Sequence, residues 1–166
     1  MHRHVLSVLV SNHSGVLSRV VGLFSRRGYN IDSLSVGETE HPEMSRMTIV
    51  ARGDDQIIDQ IIKQLDKLHD VLYIKELPQN LAVCSELALV KIEASSDTRI
   101  EVVGIIDLFD ATIVDVATEA LTVEITGEKD EIDTFLKMVE PFNIKEMTRT
   151  GIIALQKGNA DIKEEL

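Results

Sequence analysis

The sequence has few aromatic residues, one cysteine and a shortage of basic residues, and each scarcity excludes something. Only 4% of the 166 residues are aromatic and none is tryptophan, so valine, isoleucine and leucine must supply the core, which favours strands. The lone cysteine, Cys84, excludes an intrachain disulfide and indicates a reducing compartment. With 17 basic against 28 acidic residues, the net charge of −11 argues against binding of nucleic acid or anionic lipid.

Targeting segments and the common catalytic motifs are also missing. The first residues pass directly into a strand pattern without the apolar segment of a signal peptide, and no run of roughly 18 apolar residues occurs. These features predict a soluble, cytoplasmic protein. None of the GxSxG, GxxxxGK[ST], GxGxxG or HExxH motifs is present, and the five histidines lack zinc-ligand spacing. We therefore expect no catalytic residues and no metal site.

The chain contains an internal repeat. Residues 47–59, MTIVARGDDQIID, align without a gap on residues 121–133, LTVEITGEKDEID, and each segment leads from a strand through a glycine and an acidic turn into a helix. Two similar domains are therefore predicted. The expected boundaries are a first domain at 1–77, a linker at 78–85, a second domain at 86–158 and a polar tail at 159–166.

Each half shows the order strand, helix, strand, strand, helix, strand. The predicted strands cover 5–10, 31–36, 46–52 and 71–77, then 87–94, 113–117, 121–126 and 144–148. Thr98 and Glu101 predict a capping box for the first helix of the second half. The βαββαβ order predicts an α+β protein of two tandem ferredoxin-like domains, each an antiparallel sheet with helices on one face. Open sheet faces and edges in such small domains favour a homodimer.

The loop between the first strand and the first helix is the leading candidate for a binding site. Gly15 lets the backbone approach a ligand, and the N-terminal N–H groups and dipole of the helix favour an anion such as an amino-acid carboxylate. An ordinary turn, with Asn12 or Ser14 capping the helix, explains the same residues equally well. His13 is interpreted as an exposed loop residue rather than a general base. If the first two strands are neighbours, the amide of Asn30 comes close to this loop, where it can accept from the ligand's ammonium group.

Residues 17–34, LSRVVGLFSRRGYNIDSL, closely resemble the small, regulatory subunits of acetolactate synthase, also called acetohydroxyacid synthase. The likeness continues through SRMTI at 45–49, QLDKL at 64–68, LVKI at 89–92, IVDV at 113–116 and RTG at 149–151. It covers nearly the whole chain. The resemblance implies an N-terminal ACT domain, which is a small ligand-sensing module, followed by a C-terminal ACT-like domain.

The resemblance also implies a regulatory function. In that family a branched-chain amino acid, usually valine, binds between the ACT domains of two chains. The matching positions are Asn12, His13, Ser14, Gly15, Val16, Leu17, Asn30 and Ile31. The subunit associates with a large catalytic subunit that carries thiamine diphosphate, magnesium and FAD, raises its activity and confers feedback inhibition. The chain itself would then be no enzyme and bind no cofactor. A free-standing tandem ACT sensor that controls another enzyme, a transporter or a transcription complex remains the alternative.

Overall fold

The computed structural model describes residues 2–164, which fall into two compact units. The first unit contains the residues up to Cys84 together with those from Ile152 onward, and the second spans Ser85–Gly151. The predicted pair of ferredoxin-like domains is confirmed. Residues 152–158, which we assigned to the second domain, instead group with the first unit, because Ile152 and Ala154 pack against Leu77 in a small apolar cluster.

The first unit follows the predicted order of elements. They are β1 (His2–Ser11), α1 (Val16–Arg27), β2 (Ile31–Glu38), β3 (Met44–Gly53), α2 (Asp55–Leu65) and β4 (Val71–Glu76). The antiparallel strand order is β2-β3-β1-β4. Alternate residues of the central strand, Leu6, Val8 and Val10, pack with Phe24 and Ile61 of the helices, so the core lies between the helices and one sheet face.

The ends of the two helices in this unit are well defined. Helix α1 ends at Gly28, whose left-handed φ of +67° is a conformation that glycine adopts without strain. Helix α2 begins after Asp54, whose Oδ1 accepts from the N–H of Ile57 at 2.9 Å. A Cβ at Gly53 would lie 2.8 Å from Cγ2 of Ile57, so the strand and the helix approach closely here.

The segment between the units is more ordered than we expected. The predicted linker at 78–85 contains a short 3₁₀ turn at Gln79–Leu81 and the first residues of β5 (Ala82–Glu93). An additional short strand, β9 (Ile153–Gln156), pairs with β5, and the N–H of Lys157 donates to the carbonyl of Leu81 at 2.8 Å. Four residues are too few for a clear period-two pattern, which explains why β9 was not predicted.

The second unit repeats the same plan. After β5 come α3 (Arg99–Leu108), β6 (Thr112–Val116), β7 (Ala120–Gly127), α4 (Lys129–Val139) and β8 (Ile144–Arg149), with strand order β6-β7-β5-β8. Gly127 occupies the place that Gly53 has in the first unit, and the atoms nearest to a Cβ there belong to the flexible side chain of Glu131, its carboxylate first. The predicted capping box is wrong, because Oγ1 of Thr98 accepts from the N–H of Ser95 and no side chain caps α3.

A cluster of ion pairs joins β5, α4 and β8 in the second unit. Arg149 pairs with Glu86, whose side chain is 4% exposed, and its Nη1 lies 2.7 Å from Oδ1 of Asp133. Lys129 also pairs with Asp133. The hydrogen bond from Lys129, and after it that from Arg149, outweigh the effect of partial burial and hold the pKa of Asp133 below its usual value.

Candidate amino-acid-binding loop

The loop that follows β1 is fixed by hydrogen bonds to two other segments. The N–H of Asn12 donates to the carbonyl of Glu43 at 2.8 Å, and its side-chain Nδ2 donates to the carbonyl of Pro42, also at 2.8 Å. The N–H of Ser11 donates to the carbonyl of Asp70 at 2.9 Å. The loop is therefore held by the β2–β3 connection and by the segment that precedes β4.

The N-terminus of α1 has no side-chain cap. Gly15 stands at the N-cap position in the left-handed conformation, with φ +87°. The capping by Asn12 or Ser14 that an ordinary turn would use is absent. Nδ2 of Asn12 donates to the carbonyl of Pro42. The N–H of Val16 donates to the carbonyl of His13 at 3.5 Å, a long contact. The N–H groups that follow in the first turn of a helix have no acceptor within the helix, so this end retains hydrogen-bonding capacity.

Helix α1 also differs from the other helices in charge. Among the four α-helices of residues 2–164, it alone has no acidic residue in its first turn. The corresponding turns carry Asp55 in α2, Glu101 in α3, and Asp130 with Glu131 in α4. Because the partial positive charge at the start of α1 is not compensated from within its first turn, this end is suited to an external anion.

A cationic side chain lies beside Gly15. Nη1 of Arg19 would be 3.6 Å from a Cβ at Gly15, and its Nη2 is 2.5 Å from Oδ2 of Asp70. Asp70 has a mostly buried side chain and also pairs with Nε2 of His13 at 2.9 Å. Sequence reasoning did not include Arg19 or Asp70 in the site. The spacing of four between Gly15 and Arg19 on one helical turn was an available signal, whereas nothing in the sequence indicated Asp70.

The side chains of the predicted loop residues point to different surroundings. Val16 is 3% exposed and belongs to the apolar core, so only its backbone can reach a ligand. Leu17 is 44% exposed. Ser14 is exposed, and His13 is exposed as predicted but is also paired with Asp70.

Asn30 and Ile31 do not lie beside the loop of the same chain. The condition under which the amide of Asn30 would lie near the loop, that β1 and β2 are neighbours, is not met, because β3 lies between them. Ile31 is opposite Ala51, which is opposite His4, whereas the loop begins at the other end of β1. At about 3.3 Å per residue, roughly 25 Å of strand separates the two groups.

A charged cluster borders Asn30. Nδ2 of Asn30 lies 3.4 Å from Oδ1 of Asp32, and Oδ2 of Asp32 accepts from Nε of Arg52 at 2.8 Å and from Nε of Arg3 at 2.9 Å. Burial raises the pKa of Asp32, but the hydrogen bonds and charges of Arg52 and Arg3 outweigh it and leave the pKa below its usual value. Asp32 therefore stays ionised and fixes the start of β2.

Comparison with known proteins identifies the family. Residues 6–73 match the family model of the AHAS small subunit-like ACT domain, and residues 85–158 match the model of the small subunit of acetolactate synthase. The acetolactate synthase small subunit of Mycolicibacterium smegmatis is 46% identical over 155 residues, which cover 93% of this chain and 91% of that protein. The chain belongs to the acetolactate synthase small-subunit family.

Other members of the family align with nearly the whole of this chain. The family member from Aquifex aeolicus is 43% identical over 166 aligned residues, covering 99% of this chain and 86% of that protein. The crystal structure of the acetolactate synthase small subunit from Thermotoga maritima superposes with a TM-score of 0.90 at 36% identity, covering 96% of this chain and all of that one. The resemblance found in the sequence is thereby confirmed.

Within residues 2–164, no three histidine, cysteine or acidic side chains are grouped so that they could hold a metal ion. In the same part of the chain, no helix has the length and apolar character needed to cross a membrane.

Proposed function

We propose that this chain is the regulatory subunit of acetolactate synthase. It binds the large catalytic subunit, raises that subunit's activity and transmits feedback inhibition by a branched-chain amino acid, for which valine is the expected ligand. Thiamine diphosphate, magnesium and FAD belong to the catalytic partner, and this chain carries no cofactor. Family membership supports the role, and the uncapped N-terminus of α1, free of acidic residues in its first turn, is the observation that supports the ligand.

The proposed ligand site is completed by a second copy of the chain. Among the described residues β2 has only β3 as a strand neighbour, so its outer edge is open for pairing. Two copies that pair antiparallel along β2 about a twofold axis bring the Ile31 end of one strand beside the Glu38 end of the other. Glu38 lies near the loop, since its Oε2 is 3.4 Å from Nδ2 of Asn12.

This arrangement reunites the residues that one chain keeps apart. Asn30 and Ile31 of the partner subunit then lie near the loop from Asn12 to Leu17. The ligand carboxylate binds the first N–H groups of α1 next to Gly15 and Arg19, and the ammonium group meets the amide of Asn30 from the other copy. The aliphatic side chain contacts Leu17, which is 44% exposed in the single chain. Each site thus requires the homodimer.

Inhibition follows from a preference for one dimer arrangement. An amino acid that contacts both copies stabilises the arrangement in which they are correctly aligned. A catalytic subunit that prefers another arrangement then loses its activator. A coupling of about 1–3 kcal/mol, roughly a 5- to 150-fold change in affinity, is sufficient.

The function is tested by mixing this chain with a purified catalytic subunit of acetolactate synthase. We expect the two to elute together in gel filtration and acetolactate formation from pyruvate to rise, and we expect added valine, leucine or isoleucine to reverse the rise. This chain alone should form no acetolactate. Saturable amino-acid binding without co-elution or activation would contradict the proposal and identify a free-standing sensor instead.

A further inference from the structure

A cavity of about 250 Å³ lies within the first unit, between the sheet face that carries no helices and the C-terminal segment. It shares no lining residue with the loop described above. Its two walls differ in chemistry: the sheet supplies hydrogen-bond donors, and the C-terminal segment supplies acceptors.

The sheet wall carries two cations around a buried hydroxyl group. Ser7, in the central strand, is 1% exposed and accepts from Nη1 of Arg46 at 2.8 Å. In the strand register Lys75 is opposite Ser7 on one side, and Arg46 is opposite Leu9 on the other, so the cations flank β1 on one face.

These cations are not neutralised by the described part of the chain. Neither Arg46 nor Lys75 pairs with a carboxylate among residues 2–164. In a protein whose net charge is −11, two cations that flank one strand on the same sheet face without an acidic partner indicate a place for an external anion.

The wall formed by the C-terminal segment presents acceptors. Oε1 of Gln156 is buried and has no hydrogen-bond partner among the described residues, which is a costly state for a carbonyl group. The carboxylate of Asp161 lines the same cavity, and its Oδ1 accepts from the N–H of Lys163 at 2.7 Å. Nζ of Lys75 donates to the carbonyl of Glu164 at 2.6 Å, which holds this segment over the sheet.

Apolar side chains complete the lining. Leu77 belongs to the sheet side, and Leu155 and Ile162 come from the C-terminal segment. A ligand that fits therefore needs an anionic group, a hydrogen-bond donor or positive charge on the opposite side, and an apolar body. The carboxylate of Asp161 disfavours a dianion such as phosphate, whereas it favours an ammonium group.

We propose that this cavity binds an α-amino acid with an aliphatic side chain. Its carboxylate contacts Arg46 and Lys75 on the sheet, and its ammonium group contacts Asp161 and Gln156 on the C-terminal segment. Because the ligand bridges the two walls, its binding fastens residues 153–164 to the sheet. This site lies within one chain and does not depend on the proposed function of the α1 loop.

The test uses the full-length chain carrying Gly15→Asp, a change intended to block the loop site. Equilibrium dialysis with radiolabelled valine, leucine or isoleucine should still show one saturable class of site per chain. Adding Arg46→Gln or Lys75→Gln should weaken this binding at least about tenfold, since each removes a charge-assisted contact. Lys63→Gln removes an exposed cation on α2 that does not line the cavity. It is the matched control and should leave the affinity for the amino acid unchanged.

The location of the ligand is checked by amide hydrogen exchange of the Gly15→Asp chain. The amino acid should slow exchange in residues 153–164, and this protection should be absent after Arg46→Gln and after Lys75→Gln. The inference is overturned if the Gly15→Asp chain binds none of the three amino acids, or if both cavity variants bind as Lys63→Gln does. If instead the proposed site at the α1 loop is wrong, the result is different: Gly15→Asp leaves feedback inhibition of the catalytic subunit intact.

Discussion

Replacing Gly15 with aspartate should abolish feedback inhibition while activation of the catalytic subunit persists. The new side chain would start 3.6 Å from Nη1 of Arg19, so its carboxylate can pair with the guanidinium that lies beside the proposed ligand. The substitution thereby supplies a built-in anion at the start of α1. A ligand carboxylate would have to bind next to this charge.

The expected loss of affinity is set by repulsion between two carboxylates. At about 4 Å and an effective dielectric constant of about 20, the repulsion is roughly 4 kcal/mol. Gly15 is exposed, so solvent screening reduces this to about 1–3 kcal/mol, or roughly 5- to 150-fold in affinity. The left-handed φ of +87° adds about 1–2 kcal/mol of strain to folding, and aspartate tolerates that conformation better than most residues do.

The assay is a valine titration of acetolactate formation by the reconstituted enzyme. Gly15→Asn is the control for shape, because asparagine tolerates the same backbone conformation without adding charge. Gly28→Asp controls for the charge change at the far end of α1, where φ is +67° and no atom lies within 4 Å of a new Cβ. An unchanged inhibition curve for folded Gly15→Asp would refute the reasoning, as would an equal loss in Gly28→Asp.

Three further predictions concern stability and are measured by urea denaturation. Gly53→Ala should lower the free energy of unfolding by about 1–3 kcal/mol, because the new methyl group presses on the β-branched side chain of Ile57. Gly127→Ala should lower it much less, because the flexible side chain of Glu131 can move away. Equal losses in the two variants would contradict this account. Asp54→Ala should cost about 1 kcal/mol through loss of the N-cap, and no change would exclude that cap. The lowered pKa of Asp133 gives stability that is present above about pH 4 and is lost as the pH falls through that pKa. In Asp133→Asn the free energy of unfolding should therefore fall less steeply as the pH is lowered below about 4. The same steepness as in the unmodified protein would contradict this prediction.

Periodicity and the internal repeat were sufficient to predict the fold. The alignment of residues 47–59 on 121–133 placed Gly53 and Gly127 at the same strand-to-helix junction, and the structure explains this by the close approach of the two elements. Strand order is not encoded in such local patterns. A βαβ crossover leaves room for another strand between its two strands, and β3 occupies that place between β1 and β2.

The binding loop was predictable only in part. Gly15 and the following apolar helix indicated an anion site, but the pair formed by Arg19 and Asp70 depends on a contact between distant segments. The position of the C-terminal segment was missed for a similar reason. Strand β9 is short, and its place is fixed by contacts of Ala154 with Leu77 and Ala82, which no local pattern reveals.

A crystal structure of the protein grown with saturating valine is the most direct test of the central claim. The account predicts a homodimer with valine between the copies, its carboxylate about 3 Å from the first N–H groups of α1. The ammonium group should face Asn30 of the partner subunit. A dimer whose α1 N-termini are occupied by the protein's own side chains, or are far from the second copy, would contradict it.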